Sequence, residues 1–242
     1  MEFRPSAKVN RRQVLEALGG LAGVAMAIGC GESIAAPTSP SSSTTTSSST
    51  CAVTPSETEG PYPDRMGMIN NSAYFRRDIT EGKSGLPLTL ALTIVNANNG
   101  CSAVASANVE IWHCDAAGNY SEYSQPGFDG TGQTFLRGIQ TTDSSGQVTF
   151  TTIYPGWYAG RATHIHVDVF VNGALVKTTQ VAFPESTTAS VYSTGVYASK
   201  GQNPTSNASD NVFSDGTQSE MATLTGTPSS GYTASLTIGI AV

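Results

Sequence analysis

Short runs of alternating apolar and polar residues, each closed by turn formers, recur along the chain from residue 51 to its C-terminus. In residues 86–95, Leu88, Leu90, Leu92 and Ile94 fall on one side of a period-two pattern and Thr89, Ala91 and Thr93 on the other. That is the alternation of a strand with one face against a core. Residues 109–113, 147–153, 174–183 and 232–242 repeat the theme, and no segment sustains a helical period over eleven residues. Short strands punctuated by turns predict an all-β fold, a single immunoglobulin- or prealbumin-like β-sandwich over residues 51–242. Residues 186–215 are polar and rich in Ser, Asn and Gly, which predicts a long functional or mobile loop rather than a buried one.

The clearest alternation spans residues 164–171, where Ile165, Val167, Val169 and Val171 share one face and His164, His166 and Asp168 the other. Two of the chain's three histidines thus point the same way from one strand. Imidazoles so placed can grip one metal ion while the valine face anchors the strand in a core. The same pattern also describes ordinary polar residues on a half-buried strand.

Ahead of the domain the pattern changes. Residues 1–30 place adjacent Arg11 and Arg12 before an apolar run at 17–29 that ends at Gly29-Cys30. This predicts a twin-arginine-type signal peptide and an exported protein, periplasmic, cell-surface or secreted. The run is shorter than the roughly 20 residues of a membrane-spanning helix. Two exits remain open: lipidation of Cys30, with membrane attachment through it, or simple cleavage near Ala35-Ala36. Residues 31–50 are dominated by Ser and Thr and cannot bury enough apolar surface to offset chain entropy, so they read as a disordered linker. Export places Cys51, Cys101 and Cys114 in an oxidising compartment, and their odd number leaves one thiol free without choosing a pairing.

Charged residues make up 12% of the chain and the net charge is −6. Without residues 1–30, which hold Arg4, Lys8, Arg11, Arg12, Glu2 and Glu16, it becomes −8. An acidic chain with no basic stripe excludes a nucleic-acid partner.

The chemistry concentrates in residues 151–170, TTIYPGWYAGRATHIHVDVF, where Tyr158 follows the Pro155-Gly156 turn and Arg161 precedes His164 by three. PGWYAGRATHIH resembles the ligand segment of the intradiol ring-cleavage dioxygenases, the catechol 1,2- and protocatechuate 3,4-dioxygenases. NVEIWHCDAAGNYSEY (residues 108–123) and TTQVAF (178–183) resemble that family's other site segments, in the same order. TEGPY (58–62), FLRG (135–138) and IYPGWY (153–158) resemble an exported branch of it. The resemblance implies non-haem Fe(III) held by Tyr120, Tyr158, His164 and His166, with Tyr158 the more labile tyrosine. Such a set suits iron(III), because phenolate is a hard anionic donor that holds the ion oxidised. The resemblance further implies a catechol-type aromatic diol and O2 as substrates, a cis,cis-muconate-type product, and Arg161 as a cation that stabilises charge developing on the substrate. Gln180 either orients substrate or oxygen or pairs with strand backbone.

The remaining candidates read more plainly. Tyr123 rivals Tyr120 for register. His113, beside Trp112, reads as a hydrogen-bonded core residue. Trp157 packs beside the metal loop with its indole N–H within reach of the pocket. Tyr62 lines the mouth, and Arg76, Arg77 and Asp78 form a structural ion pair. Arg137 either supports the site or meets a substrate carboxylate, and Glu57 and Glu59 form an acidic pair in an N-terminal arm. Two other functions stay open on the sequence: a cell-surface module that binds metal and catechol without turnover, and a purely structural surface domain.

Overall fold

The computed structural model describes residues 51–65 and 67–242, so the signal peptide, the Ser/Thr linker and Cys30 lie outside the described residues. Eleven strands follow in order: β1 (Pro87–Asn96), β2 (Ser102–Ala103), β3 (Asn108–Trp112), β4 (Ser124–Gln125), β5 (Phe128–Asp129), β6 (Arg137–Thr141), β7 (Gln147–Ile153), β8 (His164–Val171), β9 (Ala174–Ala182), β10 (Thr223–Thr227) and β11 (Gly231–Ile240). One sheet runs β10-β11-β1-β2, with β7 also on β1; a second runs β6-β3-β8-β9; and β4 and β5 pair as a small two-stranded third. The inner faces of the first two interdigitate as the alternation predicts. Leu88, Leu90, Leu92 and Ile94 of β1 join Val148, Phe150, Ala234 and Ile238 against Val109, Ile111, Ile165, Val167, Val169 and Val181. The fold is the all-β sandwich expected from the sequence.

The outer face of the second sheet departs from expectation. β8 is not half-buried: His164, His166 and Asp168 are as buried as the valines between them. The cover comes from the segment ahead of β1. Its backbone is tied to the sandwich by Thr54 N to Gly239 O (2.9 Å), Glu57 N to Thr178 O (3.0 Å) and Ile79 N to Thr151 O (3.0 Å). This arm has no period to read, since only two 3-10 turns, Met68–Asn70 and Ser72–Tyr74, interrupt it.

Residues 186–215 are also less open than their composition suggests. They begin within a helix, α1 (Glu185–Tyr192), that buries Thr188, Val191 and Tyr192. Eight residues are too few to display a helical period, and packing rather than propensity holds such a helix. Asp210, farther along, is buried.

Cys51 pairs with Cys101, their Cα atoms 5.7 Å apart, and Cys114 is free and buried. Replacing Cys51 and Cys101 together with serine is expected to cost about 2–4 kcal/mol in denaturant unfolding, the usual worth of closing a loop of this order. Burial pushes the Cys114 thiol up to about 12. It is therefore expected to ignore thiol reagents in the folded protein and react on unfolding; rapid labelling of native protein would contradict the buried placement.

Candidate metal centre

β8 fixes two of the four predicted donors. His164 Nε2 lies 3.0 Å from His166 Nε2, with the rings nearly perpendicular at 85°. Two nitrogens on adjacent positions of one ion with bonds of about 2.1 Å would stand about 3.0 Å apart. His164 Nδ1 donates to Ala162 O at 2.6 Å, which leaves the Nε2 lone pair facing the cluster. Trp112, opposite His166 in register, stacks on that imidazole at 4.7 Å and 2°. On its other side Gly60, at φ +72°, approaches so closely that an added Cβ would lie 3.0 Å from His166 Cε1. Glycine is thus required at position 60 both for its left-handed backbone and for the close approach.

Two loops bring the phenols. Tyr158 precedes β8 and its ring centroid lies 5.7 Å from that of His164; Tyr120, between β3 and β4, lies 5.7 Å from Tyr158 and 6.2 Å from His166. The structure thus gathers Tyr120, Tyr158, His164 and His166. Tyr123 points away and donates to Pro63 O at 2.8 Å. Tyr62 stacks on Tyr120 at 4.6 Å and meets Tyr158 edge-on, forming a wall.

The electrostatics explain what the cluster lacks. Neither Tyr120 Oη nor Tyr158 Oη has a hydrogen-bond partner of good geometry, although both are buried, and an unsatisfied buried polar group costs about 1–3 kcal/mol. Burial pushes Tyr158 up to about 12, with nearby Arg161 pulling the other way, and pushes Tyr120 well above the ordinary phenol range. Burial, then the charge of Arg161, lowers His164 to about 3; burial and His164 itself hold His166 well below its usual value. Neutral imidazoles and phenols without a hydrogen-bond partner of good geometry thus lie side by side, a set that a trivalent cation would satisfy, because the ion's charge drives off the phenolic protons. The residues present therefore fit a ferric ion.

Arg161 stands beside this set, its Nη1 3.4 Å from His164 Nε2. Nε meets both oxygens of Asp210 at 2.9 and 3.1 Å, and Nη2 donates to Gln180 Oε1 at 2.6 Å. Gln180 in turn donates to Thr58 O at 2.9 Å. It is occupied with positioning Arg161 and with arm backbone. Asp210 also accepts from Ala162 N at 2.7 Å, so it holds both ends of the turn that carries the arginine. Sequence reasoning missed this aspartate; the one available signal was that a buried arginine requires a carboxylate.

Other residues have structural duties. Arg137 donates to Ser121 Oγ, Ser121 O and Tyr62 O at 3.0–3.1 Å and faces Glu122 at 3.5 Å. These contacts brace the Tyr120 loop against the arm, which is the supporting role rather than the substrate-carboxylate one. Glu122 adds Tyr74 Oη at 2.7 Å and Arg65 N at 3.0 Å from the arm. Trp157 turns away from the cluster and donates to Gly201 O at 3.0 Å, correcting the expectation that its N–H faces the pocket. His113 is a core residue bonded to Cys114 O at 2.8 Å and Thr152 Oγ1 at 2.7 Å. Arg76 pairs with Glu81 rather than Asp78, which caps Thr80 instead. Asp168, on the face that carries the two histidines, pairs in register with Glu110, and burial raises the two to about 6 and about 8. A cavity of about 320 Å³ lined by Arg65, Tyr74, Arg76 and Glu122 includes none of the four donors.

Comparison with known families fits this geometry. The dioxygenase family model matches residues 58–202, which contain all four donors, Arg161 and Gln180. The chain belongs to the intradiol ring-cleavage dioxygenase family. Within that family, catechol 1,2-dioxygenase of Acinetobacter baylyi is 32% identical over 149 residues, covering 53% of this chain and 45% of the relative. The chain thus matches less than half the length of that curated enzyme. The solved intradiol ring-cleavage dioxygenase of Tetranychus urticae superposes with a TM-score of 0.71 at 29% identity, over 79% of this chain and 95% of the other. The dioxygenase domain of a carbohydrate-binding fusion from Streptomyces sp. SirexAA-E gives 0.58 at 26%, over 79% and 99%.

Asp210→Ala strands the buried Arg161 and is expected to cost about 3–5 kcal/mol of stability in chemical unfolding; a loss under about 0.5 kcal/mol would show that the pair contributes little. Gly60→Ala is expected to destabilise the arm by about 1–3 kcal/mol through the clash with His166 and the left-handed backbone. An unchanged unfolding midpoint would contradict that close approach.

Proposed function

We propose that this chain is a non-haem iron(III)-dependent intradiol dioxygenase that cleaves a catechol-type diol between its two hydroxyl-bearing carbons. The observation that carries the reading is the gathering of two buried phenols that lack a partner of good geometry with two neutral imidazoles whose Nε2 atoms lie 3.0 Å apart, beside an arginine whose charge metal ligation does not require. Tyr120, Tyr158, His164 and His166 would hold the ion. When bound, iron(III) would supply a Lewis-acidic centre that favours the deprotonated diol and withdraws electron density from it.

The chain's own residues supply the rest. Tyr158 is the more exposed of the two tyrosines and sits on a loop; as the phenolate it would become once a bound ion had displaced its proton, its Oη would be the base for a proton of the incoming diol. Tyr120 is fully buried, stacked under Tyr62, and stays in place. Tyr62 presents an aromatic side to a flat ring. Arg161, held on two sides by Asp210 and Gln180, keeps its positive charge beside the cluster without reorganising during reaction, the condition under which such a charge stabilises a transition state most. Both atoms of O2 end in a cis,cis-muconate-type diacid, which conserves every atom of diol and oxygen. Export through the Arg11-Arg12 signal belongs to the same proposal and rests on sequence pattern alone.

The test is oxygen uptake by the iron-loaded protein with catechol and substituted catechols, with isotopically labelled O2 to trace both atoms into the diacid. The expected result is one O2 consumed per diol, and a kcat about 10²–10³-fold lower for Arg161→Ala with iron still bound. Tight catechol binding without oxygen uptake would replace the enzyme with a catechol-binding module.

A further inference from the structure

A second group of donors lies apart from the four residues above. We propose that Glu57, Asp215 and Glu220 form a site for a divalent cation of the calcium class, tying the N-terminal arm to the segment that carries Asp210. One carboxylate oxygen from each lies within 4.8 Å of the other two. Two oxygens bound to one calcium ion at about 2.4 Å each stand at most about twice that far apart, so the three are close enough to share an ion.

Glu220 points to a ligand independently of the clustering. It is 0% exposed, its Oε1 accepts from Thr179 Oγ1 at 2.9 Å, the Gln180 backbone N–H also acts on the carboxylate, and its Oε2 is buried with no partner of good geometry. Nearby cations are committed elsewhere. Lys177, whose charge acts on Glu220, gives its Nζ to Thr54 O at 2.7 Å and Ser56 Oγ at 2.8 Å. Arg161, which acts on Glu57, is held by Asp210. Burial raises both Glu57 and Glu220, the latter to about 7, and each is raised further by Asp215. Glu57 and Glu220 therefore resist ionising without an added cation.

The donor chemistry selects the ion. Three hard oxygens with no nitrogen or sulfur favour calcium or magnesium over transition metals. Asp215 is exposed and Glu57 half-buried, so water completes the shell, and an irregular set suits calcium better than magnesium's strict octahedron. The location gives the ion a task. Glu57 N is bonded to β9 through Thr178 O, Thr58 O receives Gln180, and Glu220 O accepts from Ala182 N in the same strand. Asp215 follows Asp210 by five residues. An ion here would clamp the three segments that hold Gln180 and Asp210, and through them Arg161.

The experiment treats the full chain with EGTA and titrates it with calcium chloride by calorimetry, with thermal unfolding in parallel and magnesium chloride as comparison. The expected result is one calcium per chain with a dissociation constant on the order of 10⁻⁴–10⁻³ M, a higher unfolding temperature, and weaker binding of magnesium. Asp215→Asn, at an exposed position that folding tolerates, and Glu57→Gln should each weaken calcium by about tenfold or more, since each removes one of three charged ligands. No heat and no stabilisation at about ten times that concentration would overturn the proposal. So would an Asp215→Asn protein that binds calcium as tightly as the parent. Neither readout depends on iron or ring cleavage, so failure here leaves the proposed activity standing.

Discussion

Desolvation of the polar face of β8 is the constraint on which the rest of the structure depends. A strand that buries valines on one side and two imidazoles and a carboxylate on the other cannot stand at the surface of a two-layer sandwich. It needs a third layer, supplied by the arm from residue 51 to Ile79. Burial sets the electronic state of the site: it keeps His164 and His166 neutral and their lone pairs available, and it holds the phenols protonated until a cation arrives. The unsatisfied phenol oxygens of Tyr120 and Tyr158 stand where a metal would relieve their cost.

The same low-dielectric setting explains the elaborate hold on Arg161. A guanidinium beside buried imidazoles needs a countercharge, and Asp210 provides it while also anchoring Ala162. Gln180 links that pair to the arm, and Glu122 and Arg137 link the Tyr120 loop to the same arm. Layer, ligand loops and arginine are thus one connected polar network, whose members are worth more together than singly.

How much of this was legible in the sequence depends on the range of the interaction concerned. The strands were legible because period-two alternation is local, as β1 and β8 illustrate. His164 and His166 shared a face for the same reason. Tyr120 was separable from Tyr123 in the sequence only by resemblance, because what parts them physically is the shape of their loop, where Glu122 adopts φ +69°. The second burial of β8 was invisible because the arm that covers it has no repeating pattern. Asp210 was hidden in a polar loop 49 residues from Arg161, and Trp157 was misread because its partner, Gly201, offers only a backbone carbonyl. The Cys51–Cys101 bridge was one of several pairings open on composition alone.

The central claim is that the four gathered side chains form a single ferric site able to receive a diol. The most direct measurement is the visible absorption spectrum of the iron-loaded protein before and after anaerobic addition of catechol. A phenolate-to-iron(III) charge-transfer band is expected, lost in part in Tyr158→Phe, that shifts to longer wavelength with catechol. A colourless protein that takes zinc in place of iron and is indifferent to catechol would contradict it.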